Sequence, residues 1–230
     1  MLSILLVLTA GVFLYAGDAA CFVDMGFSPD GTVYVFGEYG KIDGTYQGYA
    51  NIWSVDVARN DFISGENYST RPSVGPGNKS SLAVFEELRS KSVLTLSKYA
   101  PVPVPLARTL YLRENEQKPP EDTLEFEDYE RVTGEVPIVY SVRLAATFSG
   151  LGQNIKSTLD IIVEEKDTAG NVRARYHVGN PQITRIGVKG YSVSKIFTDQ
   201  SGRSLVFVIE KLIVDPTGLS VRYMVETVRR

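Results

Sequence analysis

Two stretches decide the fold class: Ser141-Val-Arg-Leu-Ala-Ala-Thr-Phe148 and Leu219-Ser-Val-Arg-Tyr-Met-Val-Glu226. In the first, Val142, Leu144, Ala146 and Phe148 alternate with Ser141, Arg143, Ala145 and Thr147. In the second, Leu219, Val221, Tyr223 and Val225 alternate with Ser220, Arg222, Met224 and Glu226. A period of two sends successive side chains to opposite faces, so both read as strands with one drier face. Val33–Phe36 and Leu205–Ile209 are instead apolar at consecutive positions, the pattern of strands covered on both faces. Turn signals punctuate these runs at Pro29-Asp30-Gly31, Asp43-Gly44, Ala169-Gly170-Asn171, Ser201-Gly202 and Pro216-Thr217-Gly218. Antiparallel hairpins follow. One segment breaks the period: Leu82, Phe85, Leu88, Leu96 and Tyr99 recur at helical spacing, with Ser80 or Ser81 to cap the run and Pro101 to stop it. The expected fold is mainly β, with antiparallel hairpins in a propeller-like or sandwich/barrel arrangement and one amphipathic helix near 81–98.

At the N-terminus, Leu2 to Ala16 form an uncharged apolar run, shorter than the roughly 20 residues that span a bilayer as a helix. It reads as an export signal, with cleavage after Ala16 or Ala20 among the small residues Ala16, Gly17, Ala19 and Ala20. Cys21 offers the alternative of an N-terminal lipid tether, although Asp18 occupies a position that is normally apolar in lipoprotein signals. No later run reaches transmembrane length. The segmentation is therefore a signal over 1–16 and a mainly β domain over 17–230, either as one unit or as two sub-parts joined by an acidic connection near 113–123. Glu114, Glu116, Glu121 and Asp122 flank Pro119-Pro120 there.

Composition removes several function classes. Among 230 residues, Lys+Arg 24 against Asp+Glu 27 gives a formal charge of -3, which lacks the basic excess that a phosphate backbone requires, so nucleic acid is not an expected partner. One Cys and one His exclude an intramolecular disulfide, a Cys/His zinc site and a Cys–Cys redox pair. No cofactor or metal site is expected.

The chain also repeats itself. Phe27-Ser-Pro-Asp-Gly31, the Val33–Phe36 strand, a glycine turn and the Tyr49–Val57 strand are echoed by Phe197 to Gly202, Leu205–Ile209, Pro216–Gly218 and Leu219–Thr227. The first copy, with Ile52, Val55 and Asp56 in its later strand, resembles one blade repeat of TolB-like β-propellers. The wider pattern comprises Gly17-Asp18-x-Ala20, Gly26-Phe27-Ser28, Asp30-Gly31, Phe36-Gly37-x-Tyr39-Gly40, Tyr46-Gln47-x-Tyr49-Ala50, Ile52, Val55-Asp56-Val57 and Leu205 to Glu210. It resembles a family of predicted secreted bacterial proteins of unknown function. That resemblance implies secretion, places Gly17 near the mature N-terminus and Cys21 inside the domain, and implies no activity.

Two constellations are candidate sites. Tyr39, Tyr46, Gln47, Tyr49 and Trp53 combine flat aromatic faces with polar tips, which suit sugars or peptides; the competing reading is hairpin-turn chemistry with Tyr49, Asn51 and Trp53 packing on one face of a strand. Arg173, Arg175 and His177 alternate along one strand face, where they would hold an anion or form a solvated ladder. His177 lacks the G-x-S-x-G elbow that would give it a nucleophile. Gly75-Pro-Gly-Asn-Lys-Ser80 lacks the glycines that a P-loop needs at positions 73 and 78. No catalytic residue is singled out. The function read from these features is an exported, non-enzymatic binding or interaction module of the bacterial cell envelope, secreted or periplasmic, with an envelope protein or glycan as partner. The alternatives are a carboxylate-based envelope hydrolase acting on glycans, and an envelope oligomer.

Overall fold

Both ends of the chain fold into three-stranded meanders, and a third sheet from the middle of the sequence completes the stack. The computed structural model describes residues 18–42, 44–70, 79–113, 123–133, 136–216 and 218–230. The expected signal (1–16), most of the acidic connection, Asp43 and the first four residues of the glycine-rich loop lie outside them. Cys21–Phe27 (β1), Val33–Lys41 (β2) and Gly48–Asp56 (β3) pair antiparallel, and β3 also pairs with Asp61–Phe62 (β4) and Tyr68–Ser69 (β5). Two helices, Ser81–Lys91 (α1) and Val93–Tyr99 (α2), precede Thr109–Leu112 (β6). Thr123–Thr133 (β7), Val136–Ser149 (β8), Lys156–Lys166 (β9) and Val172–Val178 (β10) form a sheet in which Arg185–Ile186 (β11) also pairs with β9. Finally Val188–Thr198 (β12), Ser204–Asp215 (β13) and Gly218–Arg229 (β14) form a sheet of order β14-β13-β12-β6. Because β6 pairs with β12, chain from before the acidic connection contributes to the sheet built after it.

The β12–β14 sheet is the central layer. Leu205, Phe207 and Ile209 pack toward Val142, Leu144 and Ile161 of the β7–β11 sheet, whereas Val206 and Val208 pack toward Tyr34 and Phe36 of the β1–β5 sheet. On the far side of that first sheet, Val33, Val35 and Ile52 pack with Phe85 and Leu88 of α1. The consecutive apolar residues of β2 and β13 thus serve two cores at once. Of the arrangements left open by the sequence, a sandwich-like stack of sheets is the one formed, with no closed barrel among the described residues.

Two expectations require correction. The helix near 81–98 is two helices: Ser80 Oγ caps α1 by accepting from Ala83 N–H (3.2 Å), but Ser92 leaves helical geometry and its hydroxyl donates back to the Arg89 carbonyl. Leu82 is exposed, so the buried stripe begins at Phe85. Leu219–Glu226 also lacks a wet face. In β14, Tyr223 and Val225 meet one core, Met224 meets the other, and Glu226 is buried, because the central sheet is covered on both sides.

Candidate functional site

The two repeat turns meet in space. In the first, the Ser28 hydroxyl accepts from Val33 N–H (3.0 Å) and donates to Asp30 Oδ1 (2.6 Å), which also accepts from the Thr32 N–H and hydroxyl. The Ser28 hydroxyl and the two Thr32 donors hold the Asp30 carboxyl down to about 2. In the second, Asp199 Oδ1 accepts from Ser204 N–H (2.7 Å), Asp199 Oδ2 accepts from the Ser201 hydroxyl, and Gly202 N–H donates to the Asp199 carbonyl. Gly31, at φ +67, lies so close to the second turn that an added Cβ would sit 2.6 Å from Asp199 Oδ2. Phe27, Tyr34 and Phe197 join the two hairpins beneath, with Tyr34 5.0 Å from Phe27 and 6.4 Å from Phe197 between ring centroids.

A third wall comes from the strap Val102–Pro105. Val102 N–H donates to the Phe27 carbonyl (2.9 Å), and Val104 N–H donates to Asp24 Oδ2 (2.7 Å), whose other oxygen accepts from the Tyr34 hydroxyl (2.8 Å). Burial pushes the Asp24 carboxyl up and the fully enclosed Tyr34 phenol further up. The strap crosses Gly26, at φ +99, where a Cβ would lie 1.7 Å from the Val102 carbonyl oxygen; only glycine admits it. Strap and turns line an open cavity of about 640 Å³ with Phe27 and Pro103 among its apolar lining and Asp30, Arg108 and Gln200 among its polar lining. Arg108 is half-buried and its guanidinium has no partner among the described residues. By contrast, Arg113, Arg185, Arg222 and Arg230 are each paired with a carboxylate.

The residues singled out in the tyrosine-rich segment do not converge. Tyr39 packs on Phe85 on the helix side of the first sheet. Tyr49 is buried on the opposite face with Arg222 over its ring, Trp53 stacks on Phe36 at 4.9 Å, and Asn51 donates to Glu38, so Tyr49, Asn51 and Trp53 do share one packed face. Tyr46 is exposed at φ 55, and the Gln47 carbonyl accepts from Ile42 N–H to close the turn. Arg173, Arg175 and His177 stand together on exposed β10, facing Asp167, Glu164 and Asp160 respectively. Each thus has a carboxylate within 3.7 Å. Cys21 opens β1 and is exposed. Among the described residues no three His, Cys, Asp or Glu side chains come together as a metal site. Arg108 and Asp199 were not singled out from sequence; the available signal was the second repeat turn for Asp199 and the proline-alternating V-P-V-P run just before Arg108.

A family model described as "predicted secreted protein (DUF2259)" matches residues 35–229, the span from within β2 to the end of β14. No curated protein and no solved structure matches the chain.

Proposed function

Since the chain belongs to this family of predicted secreted proteins, we propose that it is an exported, non-enzymatic binding module of the cell envelope whose ligand occupies the cavity between the repeat turns and the strap. The observation that carries this reading is a cavity of about 640 Å³ with Arg108, whose guanidinium has no partner among the described residues, in its wall. Ligand pockets combine apolar lining with a few fixed polar groups. Here Asp30 only accepts hydrogen bonds, Arg108 only donates, and Gln200 does both. Sugar hydroxyls both donate and accept, and a pyranose ring offers an apolar face to Phe27 and Pro103. An envelope glycan is the ligand class that this set fits.

Hydrolysis has less support. A glycosidase needs one carboxyl that stays protonated to act as general acid. Asp30 is held at about 2, and both Asp199 oxygens are taken by Ser201 and Ser204.

The test is calorimetric titration with oligosaccharides released from the bacterial envelope. Arg108→Ala and Gln200→Ala are expected to weaken binding about tenfold each, equivalent to about 1.4 kcal/mol, without moving the melting temperature. Unchanged affinity in both variants, or no binding by any envelope oligosaccharide, refutes the reading.

A further inference from the structure

A second hollow, of about 320 Å³, lies beside β14, the edge strand of the central sheet, and none of its lining is shared with the larger cavity. One wall is aromatic: Trp53 stacks between Phe36 (4.9 Å) and Phe62 (6.3 Å). The strand edge itself is closed to a further strand. Val221 N–H donates to the Asp18 carbonyl, Tyr223 N–H to Glu38 Oε2 and Thr227 N–H to Asn60 Oδ1. By the alternation of an antiparallel ladder, Val225 alone between these points is left facing outward, too little for strand addition. The occupant is therefore a small molecule.

The charged lining carries two donors without an acceptor. Arg185 spends Nη2 on Glu226 Oε1 (2.9 Å), while its Nη1 is buried without a hydrogen-bond partner among the described residues. Glu226 is already satisfied, its other oxygen accepting from Asn60 Nδ2 (2.6 Å). Lys211 lines the same hollow and has no partner among the described residues. Burial pushes its ammonium down, with Arg185 and Arg222 adding to the effect and Glu38 and Glu226 opposing it. Arg222, opposite Lys211 on the ladder, is taken up by Asp18. Buried donors normally have acceptors; Arg185 Nη1 lacks one among the described residues, and the half-buried Lys211 lines the same hollow as the aromatic wall.

We propose that this hollow binds a small carboxylate with a flat apolar body, its two oxygens accepting from Lys211 Nζ and Arg185 Nη1 and its body lying against Trp53 and Phe62. Two donors match two oxygens, whereas a phosphate dianion would add charge beside Glu226. The site is independent of the glycan reading of the larger cavity.

Trp53 is the only tryptophan in the chain, so its emission reports directly on this hollow. Benzoate titrated into the full chain should change that emission saturably, and neutral benzamide or inorganic phosphate should not. Lys211→Met is expected to weaken benzoate at least about tenfold without lowering the melting temperature, since no ion pair is lost. Arg108→Ala is expected to leave benzoate binding intact. Absence of a saturable change with benzoate, equal response to benzamide, preference for phosphate, or unchanged affinity in Lys211→Met each overturns the proposal. The benzamide comparison stands even if the variant fails to fold.

Discussion

Asp24→Ala tests how the strap is held to the repeat turns. The Asp24 carboxylate accepts from Val104 N–H at 2.7 Å and from the Tyr34 hydroxyl at 2.8 Å. Hydrogen bonds to a charged group contribute about 1.5–3 kcal/mol each, so the gross loss is about 3–6 kcal/mol. Part of this is returned, because burial disfavours the ionised carboxyl and its removal relieves that cost. A net destabilisation of about 3 kcal/mol is expected, which for a chain of this size lowers the melting temperature by roughly 6–12 °C. Asp24→Asn retains an acceptor for one neighbour and should lose about half as much. Urea unfolding followed by tyrosine and tryptophan fluorescence measures both, and ligand affinity should fall alongside stability because the strap is a wall of the cavity. A loss below about 1 kcal/mol for Asp24→Ala, or full affinity in a destabilised variant, would refute the coupling of strap and site.

Gly31→Ala combines a positive φ with a Cβ 2.6 Å from Asp199 Oδ2; either Asp199 gives up its bonds to Ser201 and Ser204 or the two turns separate, and a loss of about 2 kcal/mol in urea unfolding is expected, against which a neutral result would count. Asp24, Glu38 and Glu226 are all raised, chiefly by burial. Their ionisation therefore costs stability as pH rises from the ordinary carboxylate range through their folded values, and acidification from neutrality should first stabilise the fold. Stability is then lost as pH falls through depressed values such as that of Asp30, about 2. Glu38→Gln should flatten the initial gain in a series of urea midpoints, and a monotonic loss from neutral pH downward in the parent chain would contradict this assignment. At the N-terminus, Ala20 N–H donates to the Val221 carbonyl, Val221 N–H donates to the Asp18 carbonyl, and Asp18 pairs with Arg222 at 3.0 Å. Truncation to Cys21 should therefore cost about 2 kcal/mol, and the intact mass of the exported protein should retain Asp18; a mature chain starting at Cys21 would contradict it.

The parts of the fold that could be read in advance are those in which side-chain period and burial coincide. Val33–Phe36 and Leu205–Ile209 are apolar at every position because each strand serves two cores. The repeated turn chemistry at Phe27–Gly31 and Phe197–Gly202 marked the two hairpins that line the larger cavity. Alternation misled in β14. Glu226 and Arg222 look solvent-facing by type, but they are neutralised by Arg185 and Asp18 from other parts of the chain, and no local pattern encodes such partners. The helix was split by Ser92, whose hydroxyl competes for the Arg89 carbonyl. Lys211 did leave a signal, a lone cation after Leu205-Val-Phe-Val-Ile209-Glu and before Leu212-Ile-Val, although its lack of a partner is a property of packing. The aromatic residues from Tyr39 to Trp53 were selected by type, and the pleat of β2 and β3 divides them between opposite faces.

The most direct test of the central claim is a map of backbone amide shifts in the nuclear magnetic resonance spectrum as an envelope oligosaccharide is titrated into the full chain. The account predicts changes concentrated at residues 27–32, 102–108 and 198–204, the two repeat turns and the strap with Arg108. Changes confined to residues 44–49 and the exposed face of β10, with the repeat turns silent, would contradict it.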